Sequence, residues 1–178
     1  MVTGREVQVA VIGPEADIGE APSAWPGAAA SWLASKCDFM PGVVHEARVF
    51  VGTADQVAAV REFVRTLLGG HPALDDAVLV ASELAANAIA HTASGHAGGA
   101  FGVHLARLSA EHVAVLVTDK GGPTEPSVRA ADLESESGRG LDVVTALSST
   151  FSVPGEGEQR SVLAVIPPID QIAAEEAP

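Results

Sequence analysis

The chain has 178 residues, 47% of them apolar, a formal net charge of −13 and a single cysteine. That length suits one ordinary domain with some spare sequence and a core that needs no staples. The acidic balance argues against a nucleic-acid partner, the lone Cys37 rules out a disulfide framework, and no stretch approaches the roughly 18 apolar residues of a membrane span, so a cytoplasmic protein is expected.

Residues 1–42 are rich in Gly, Pro and Ala, and Gly13-Pro14, Pro22, Trp25-Pro26 and Pro41-Gly42 break any period. Val7 to Ile12 has the composition of a short strand and Ala28 to Leu33 that of a helical turn. The segment as a whole is expected to be a poorly ordered extension. Organised sequence starts at Val43, and residues 43–167 form the predicted domain. Val43 to Val51 alternates as a strand does. Thr53 or Asp55 then stands where a cap belongs, ahead of a helix carrying Val57, Val60, Phe63, Val64, Leu67 and Leu68. Gly69-Gly70 ends that helix and Pro72 prevents its resumption.

A second helix is predicted from Ala73 to His91, its apolar stripe running from Leu74 through Val80 and Leu84 to Ile89. After a loop at Gly95 to Gly99, Phe101, Val103 and Leu105 alternate with smaller or polar residues, and Val113, Val115 and Val117 do so after a turn at Ser109 to Glu111. The pair reads as an antiparallel hairpin. Beyond Asp119 the periodicity lapses until Gly140 to Leu147, a short helix. Phe151 to Val153 and Ser161 to Ile166 read as the last strands, and residues 168–178 as a polar tail. The order predicts an α+β two-layer sandwich, with helices on one face of a mixed, mostly antiparallel sheet.

Three clusters along this frame have chemical potential. Glu83 and Asn87 lie one turn apart on the second helix and so share a face. Asn is a poor helix former, its carbonyl oxygen is a hard ligand suited to Mg²⁺, and a nearby Glu can take a proton. The bland alternative is a solvated pair on an amphipathic helix. Asp119-Lys120-Gly121-Gly122-Pro123 follows a strand directly: the carboxylate can accept from an exocyclic amine, and Gly121 lets a flat ring approach the backbone. An ordinary Asp-x-Gly turn is the alternative there. Gly138-Arg139-Gly140 opens a helix, where free N–H groups and the positive dipole end suit an anion. No Gly-Lys-Ser/Thr follows, which excludes a Walker A loop.

Taken together in this order and spacing, the clusters resemble the Bergerat-type ATP site of histidine kinases, gyrase-type ATPases and one class of heat-shock chaperones. The most specific stretches are Ser82-Glu83-Leu84-Ala85-Ala86-Asn87-Ala88-Ile89-Ala90-His91-Thr92 and Ser137-Gly138-Arg139-Gly140-Leu141. Val43 to Ile166 is most similar to the small anti-sigma-factor serine/threonine kinases and their relatives. The resemblance implies ATP and Mg²⁺ as cofactors. It makes Asn87 the metal ligand, Asp119 the acceptor of the adenine amine with Ser161 in support, and Gly121 the surface against the base. Thr124 to Ser137 becomes a lid, Gly138, Arg139 and Gly140 the phosphate donors, and Glu83 the base that activates a protein serine hydroxyl.

Two positions depart from the pattern: Pro123 replaces a frequent Gly, and Arg160 a frequent Lys. The sequence offers no histidine phosphoacceptor region, since His45 sits near a strand and His71 precedes Pro72 in a turn. His91 and His96 have no third ligand to complete a metal site, and Asp132, Glu134 and Glu136 read as a solvated acidic loop. The expected function is that of an anti-sigma-factor-type kinase that phosphorylates an antagonist protein and sequesters a sigma factor, with a homodimer plausible by resemblance. The competing expectation is an ATP-dependent protein-binding module without kinase activity.

Overall fold

The computed structural model describes residues 9–12, 43–122, 139–153 and 159–167. The expected lid at Thr124 to Ser137, with Asp132, Glu134 and Glu136, lies outside these residues. So do Pro123, Gly138, most of the N-terminal extension and the C-terminal tail.

The described elements are strands β1 (Val9–Ile12) and β2 (Val44–Val51), helices α1 (Gln56–Leu68) and α2 (Leu74–His91), and a 3-10 turn at Ala93–Gly95. Strands β3 (Ala100–Arg107) and β4 (Val113–Asp119), helix α3 (Arg139–Ala146) and strands β5 (Thr150–Ser152) and β6 (Arg160–Ile166) complete them. The six strands form one sheet in the order β1-β2-β3-β4-β6-β5. Only the β1–β2 pair is parallel. The α+β architecture expected from the alternation of periods is therefore present, and Val9–Ile12, the described part of the short strand expected at Val7 to Ile12, forms a parallel edge.

Local chemistry explains the element boundaries. Neither Thr53 nor Asp55 caps α1 through its side chain; a backbone turn does so instead, with the Gln56 N–H on the Thr53 carbonyl at 3.0 Å. Asp55 has helical backbone angles, where a capping residue is usually extended, and its carboxylate instead accepts from Gln56 Nε2 at 3.1 Å. At the other end Gly70 takes φ +77°, a left-handed value that a side chain would disfavour. The chain then turns through His71, whose N–H bonds the Leu68 carbonyl at 2.7 Å. His71 is a buried tether. Its Nδ1 accepts the Ala73 N–H at 3.1 Å and its Nε2 lies 3.3 Å from the Ser109 carbonyl, joining the α1–α2 turn to the β3–β4 hairpin.

Val60, Phe63, Val64 and Leu68 of α1, and Ala77, Val80, Ala81, Leu84, Ala85 and Ala88 of α2, form one core with the helix-facing side of the sheet. The sheet contributes Phe50, Phe101, Val103, Leu105, Val115, Val117, Val162 and Ile166 to it. Phe50 sits at the junction, its ring 6.0 Å from that of Phe63 and 5.7 Å from that of Phe101. Burying each such side chain contributes about 1.5–3 kcal/mol. Arg48 closes the margin of this core, with its guanidinium carbon 4.5 Å from the Phe63 ring centre and its Nε 2.7 Å from Glu46.

The opposite face of the sheet is buried as well. Ala106, Ala114, Leu116 and Leu163 form a second cluster with Val43, Leu108 and Val165 packed on it. The alternation in β3 therefore separates two buried faces rather than a core face from a solvent face. His104 is 1% exposed, and its ring centre lies 5.5 Å from that of His45 on β2. Among the described residues, no helix is long and apolar enough to cross a membrane.

Candidate nucleotide site

The helical spacing of α2 brings Glu83 and Asn87 to one face, both half-buried. Gly140, in the first turn of α3, packs directly on them. A Cβ built at position 140 would come within 2.5 Å of Glu83 Oε2 and 3.8 Å of Asn87 Nδ2. Glycine at this position lets the helix start sit against the carboxylate without displacing it. Asn87 Nδ2 is buried and has no hydrogen-bond partner among the described residues. A buried amide end left unmatched is costly and calls for an explanation. The two ends of the amide are nearly isosteric, so a half-turn of the group presents its oxygen at the same place. Arg139 and Gly140 belong to the opening turn of α3, where backbone N–H groups have no intrahelical acceptor.

Asp119 ends β4 with 5% of its surface exposed. Its Oδ1 accepts the N–H of Gly121 at 2.6 Å, closing a turn in which Gly121 has φ +69°. That left-handed backbone is the physical need for glycine here. Burial pushes the Asp119 carboxyl above the ordinary range, while the Gly121 N–H and the Arg160 guanidinium pull it back.

The turn is stitched to the end of α2. The Ala93 N–H donates to the Gly121 carbonyl at 2.7 Å and the Lys120 N–H to Ser94 Oγ at 2.9 Å. A Cβ on Gly122 would strike the His91 carbonyl. Thr92 holds this corner from within: its hydroxyl donates to the Ala88 carbonyl at 2.6 Å and accepts the Ser94 N–H at 3.1 Å. The helix that carries Glu83 and Asn87 thus fixes the turn that carries Asp119 and Gly121. Sequence reasoning places Thr92 in its most specific stretch without a role of its own and does not single out Ser94, although a Thr-Ala-Ser-Gly run after a long helix is typical of hydroxyl-capped turns.

Ser161 is placed differently from expectation. In the β4–β6 register it lies opposite Thr118, and the two hydroxyls are 2.8 Å apart. Side chains of a strand alternate between faces. Asp119 falls on the helix side with Val117, and Thr118 and Ser161 fall on the other. The residue across from Asp119 is Arg160, and its guanidinium donates to the Gly122 carbonyl. His91 and His96 are both exposed.

The structure thus gathers Glu83, Asn87 and Gly140 along the C-terminal half of α2 and Asp119 with Gly121 just beyond the C-terminal end of that helix. Such a surface offers a carboxylate, an unmatched amide and helix-start donors at one end, and a buried acceptor beside a bare backbone at the other. The family model described as a histidine kinase-like ATPase domain matches residues 50–166, well over half of the chain. No curated protein matches it.

Proposed function

The chain belongs to the histidine kinase-like ATPase domain family, and from that premise we propose that it is a regulatory protein of the anti-sigma-factor type. On this reading it phosphorylates a serine of an antagonist protein, sequesters a sigma factor, and works as a homodimer. The observation that carries the reading is the three-way contact of Gly140 with Glu83 and Asn87. It leaves a carboxylate and an unmatched amide beside the helix start where phosphates are best received.

The residues fit a magnesium-bound adenine nucleotide. The orphaned Asn87 amide is a hard oxygen donor once turned, and any side chain at position 140 would fill the cradle. Bound Mg·ATP supplies a transferable phosphoryl group and the cation that offsets its charge. Asn87 would hold the metal. Asp119 accepts from the exocyclic amine of the base, with Gly121 giving the ring access to the backbone. The free N–H groups of Arg139 and Gly140 at the helix start would receive the phosphates. Glu83 takes up the proton of the serine hydroxyl, so most of the catalysis is positioning and electrostatics.

Transfer of label from γ-labelled ATP to serine of a protein captured from the native lysate tests this reading. Glu83→Ala is expected to keep ATP affinity while lowering transfer on the order of 10²–10⁴-fold. Equal transfer by that variant would remove Glu83 from the chemistry. ATP binding without transfer by the unaltered protein would leave an ATP-dependent protein-binding module.

A further inference from the structure

Arg160 has no role in the reading above, yet it stands directly across β6 from Asp119. Residues opposite one another in an antiparallel pair share a face, so both side chains lie on the helix side at the same end of the sheet. The guanidinium donates to the carbonyl of Gly122, the last described residue before the expected lid. The turn 119–122 is consequently held from two directions. The end of α2 holds it through the Ala93 N–H on the Gly121 carbonyl and Ser94 Oγ on the Lys120 N–H. Strand β6 holds it through Arg160, paired with Asp119 and bonded to the Gly122 carbonyl.

We propose that Arg160 is a positioning residue for recognition of the adenine amine: it straps the Gly122 carbonyl to β6 and sets its charge beside Asp119, so that the turn presents an ionised acceptor to the base. The inference rests on the reading of Asp119 as the adenine acceptor. A buried carboxyl that takes up a proton presents an O–H and loses one of its acceptor oxygens. Among the described residues, Arg160 is the charged group that opposes this for Asp119. Lys120 and His91 are exposed, and Glu83 lies farther along α2, against Gly140. An arginine suits the task better than a point charge, because its planar fork can hold a carbonyl while the cation stays beside the carboxylate.

The test measures Mg·ATP and Mg·inosine triphosphate affinity by calorimetry from pH 5 to 8 on the full chain. The inosine base has a carbonyl where adenine has the amine. Arg160→Met is expected to lose on the order of 10-fold in ATP affinity, with little change for inosine triphosphate. Its ATP affinity should also begin to fall at a higher pH than that of the unaltered protein. Arg160→Lys should restore the pH profile but only part of the ATP preference. An unchanged nucleotide ratio and pH profile in Arg160→Met would overturn the proposal. Should that variant fail to fold, an unchanged ratio in Arg160→Lys would overturn it instead. Asp119→Asn separates the two layers of inference. If it leaves ATP affinity intact, the adenine assignment itself fails; if it weakens ATP while the Arg160 variants do not, only the strap fails.

Discussion

Asp119 carries two opposed demands. Its carboxyl is buried at the end of β4, and burial raises its proton affinity in the folded state above that of the unfolded chain. A carboxyl shifted in that direction contributes stability at low pH, and the contribution is lost as pH rises through the folded value. At neutral pH the ionised group is therefore a cost to the unliganded fold, which the Gly121 N–H and the Arg160 cation only partly offset. Asp119→Asn keeps an oxygen able to accept the Gly121 N–H. The unliganded variant is expected to melt higher than the unaltered protein at pH 7, with the difference shrinking on acidification. Its ATP affinity should fall roughly 10–150-fold, the value of one charge-assisted hydrogen bond. Thermal melts across pH 4–8 beside calorimetry check both halves; a variant that melts lower at every pH would show the carboxylate to be a net stabiliser.

Helix α3 shows the same division between stability and use. Eight residues are too few to hold a helix alone, and docking must do it: Val144 is fully buried, with Leu141 and Leu147 packed beside it. Gly140 does nothing for that docking except leave room for Glu83 Oε2. The atom that an added methyl would meet is the far end of a flexible side chain, which can swing aside. Gly140→Ala should therefore fold normally, and the better helix former can add up to about 1 kcal/mol. The displaced Glu83 should at the same time lower phosphoryl transfer, and the methyl group itself, filling the space beside Asn87, should lower nucleotide affinity. A loss of fold, or full activity with a raised melting temperature, would contradict the contact. The sequence makes the helix legible through Gly140 and the apolar residues after it, and Gly69-Gly70 likewise announces the end of α1. It does not reveal the phase of β6. Ser161 and Arg160 are neighbours, and which of them shares a face with Asp119 depends on register, which a stretch as uniformly apolar as Val162 to Ile166 leaves open. The capping of α1 was hidden for a related reason: Thr53 and Asp55 are both good capping types, yet Asp55 takes helical backbone angles without a side-chain cap bond and Thr53 contributes through its carbonyl.

At the scale of the molecule, the candidate site exists only when distant parts of the chain are folded onto one another. Helix α2 supplies Glu83 and Asn87, the β4 exit supplies Asp119 and Gly121, and α3 supplies the helix start, with the end of α2 stitched to the β4 turn and Gly140 seated on α2. The motifs were legible one by one because each has its own spacing, whereas the Thr92 to Ser94 corner that joins two of them is held by backbone and hydroxyl bonds with no spacing rule. A ligand that binds only this assembled surface stabilises the fold by mass action, about 2.7 kcal/mol at one hundred times its dissociation constant, which is several degrees in melting temperature for a domain of this size. Saturating Mg·ATP should also slow backbone hydrogen exchange in residues 83–91, 119–122 and 139–146 together. The rest of the sheet should gain only the uniform protection that follows global stabilisation. Protection confined to one of these segments would mean that the nucleotide does not bridge them and that the convergence of Gly140, Glu83 and Asn87 serves packing. Joint protection that Asp119→Asn reduces in all three segments would tie the base end and the phosphate end to one bound molecule.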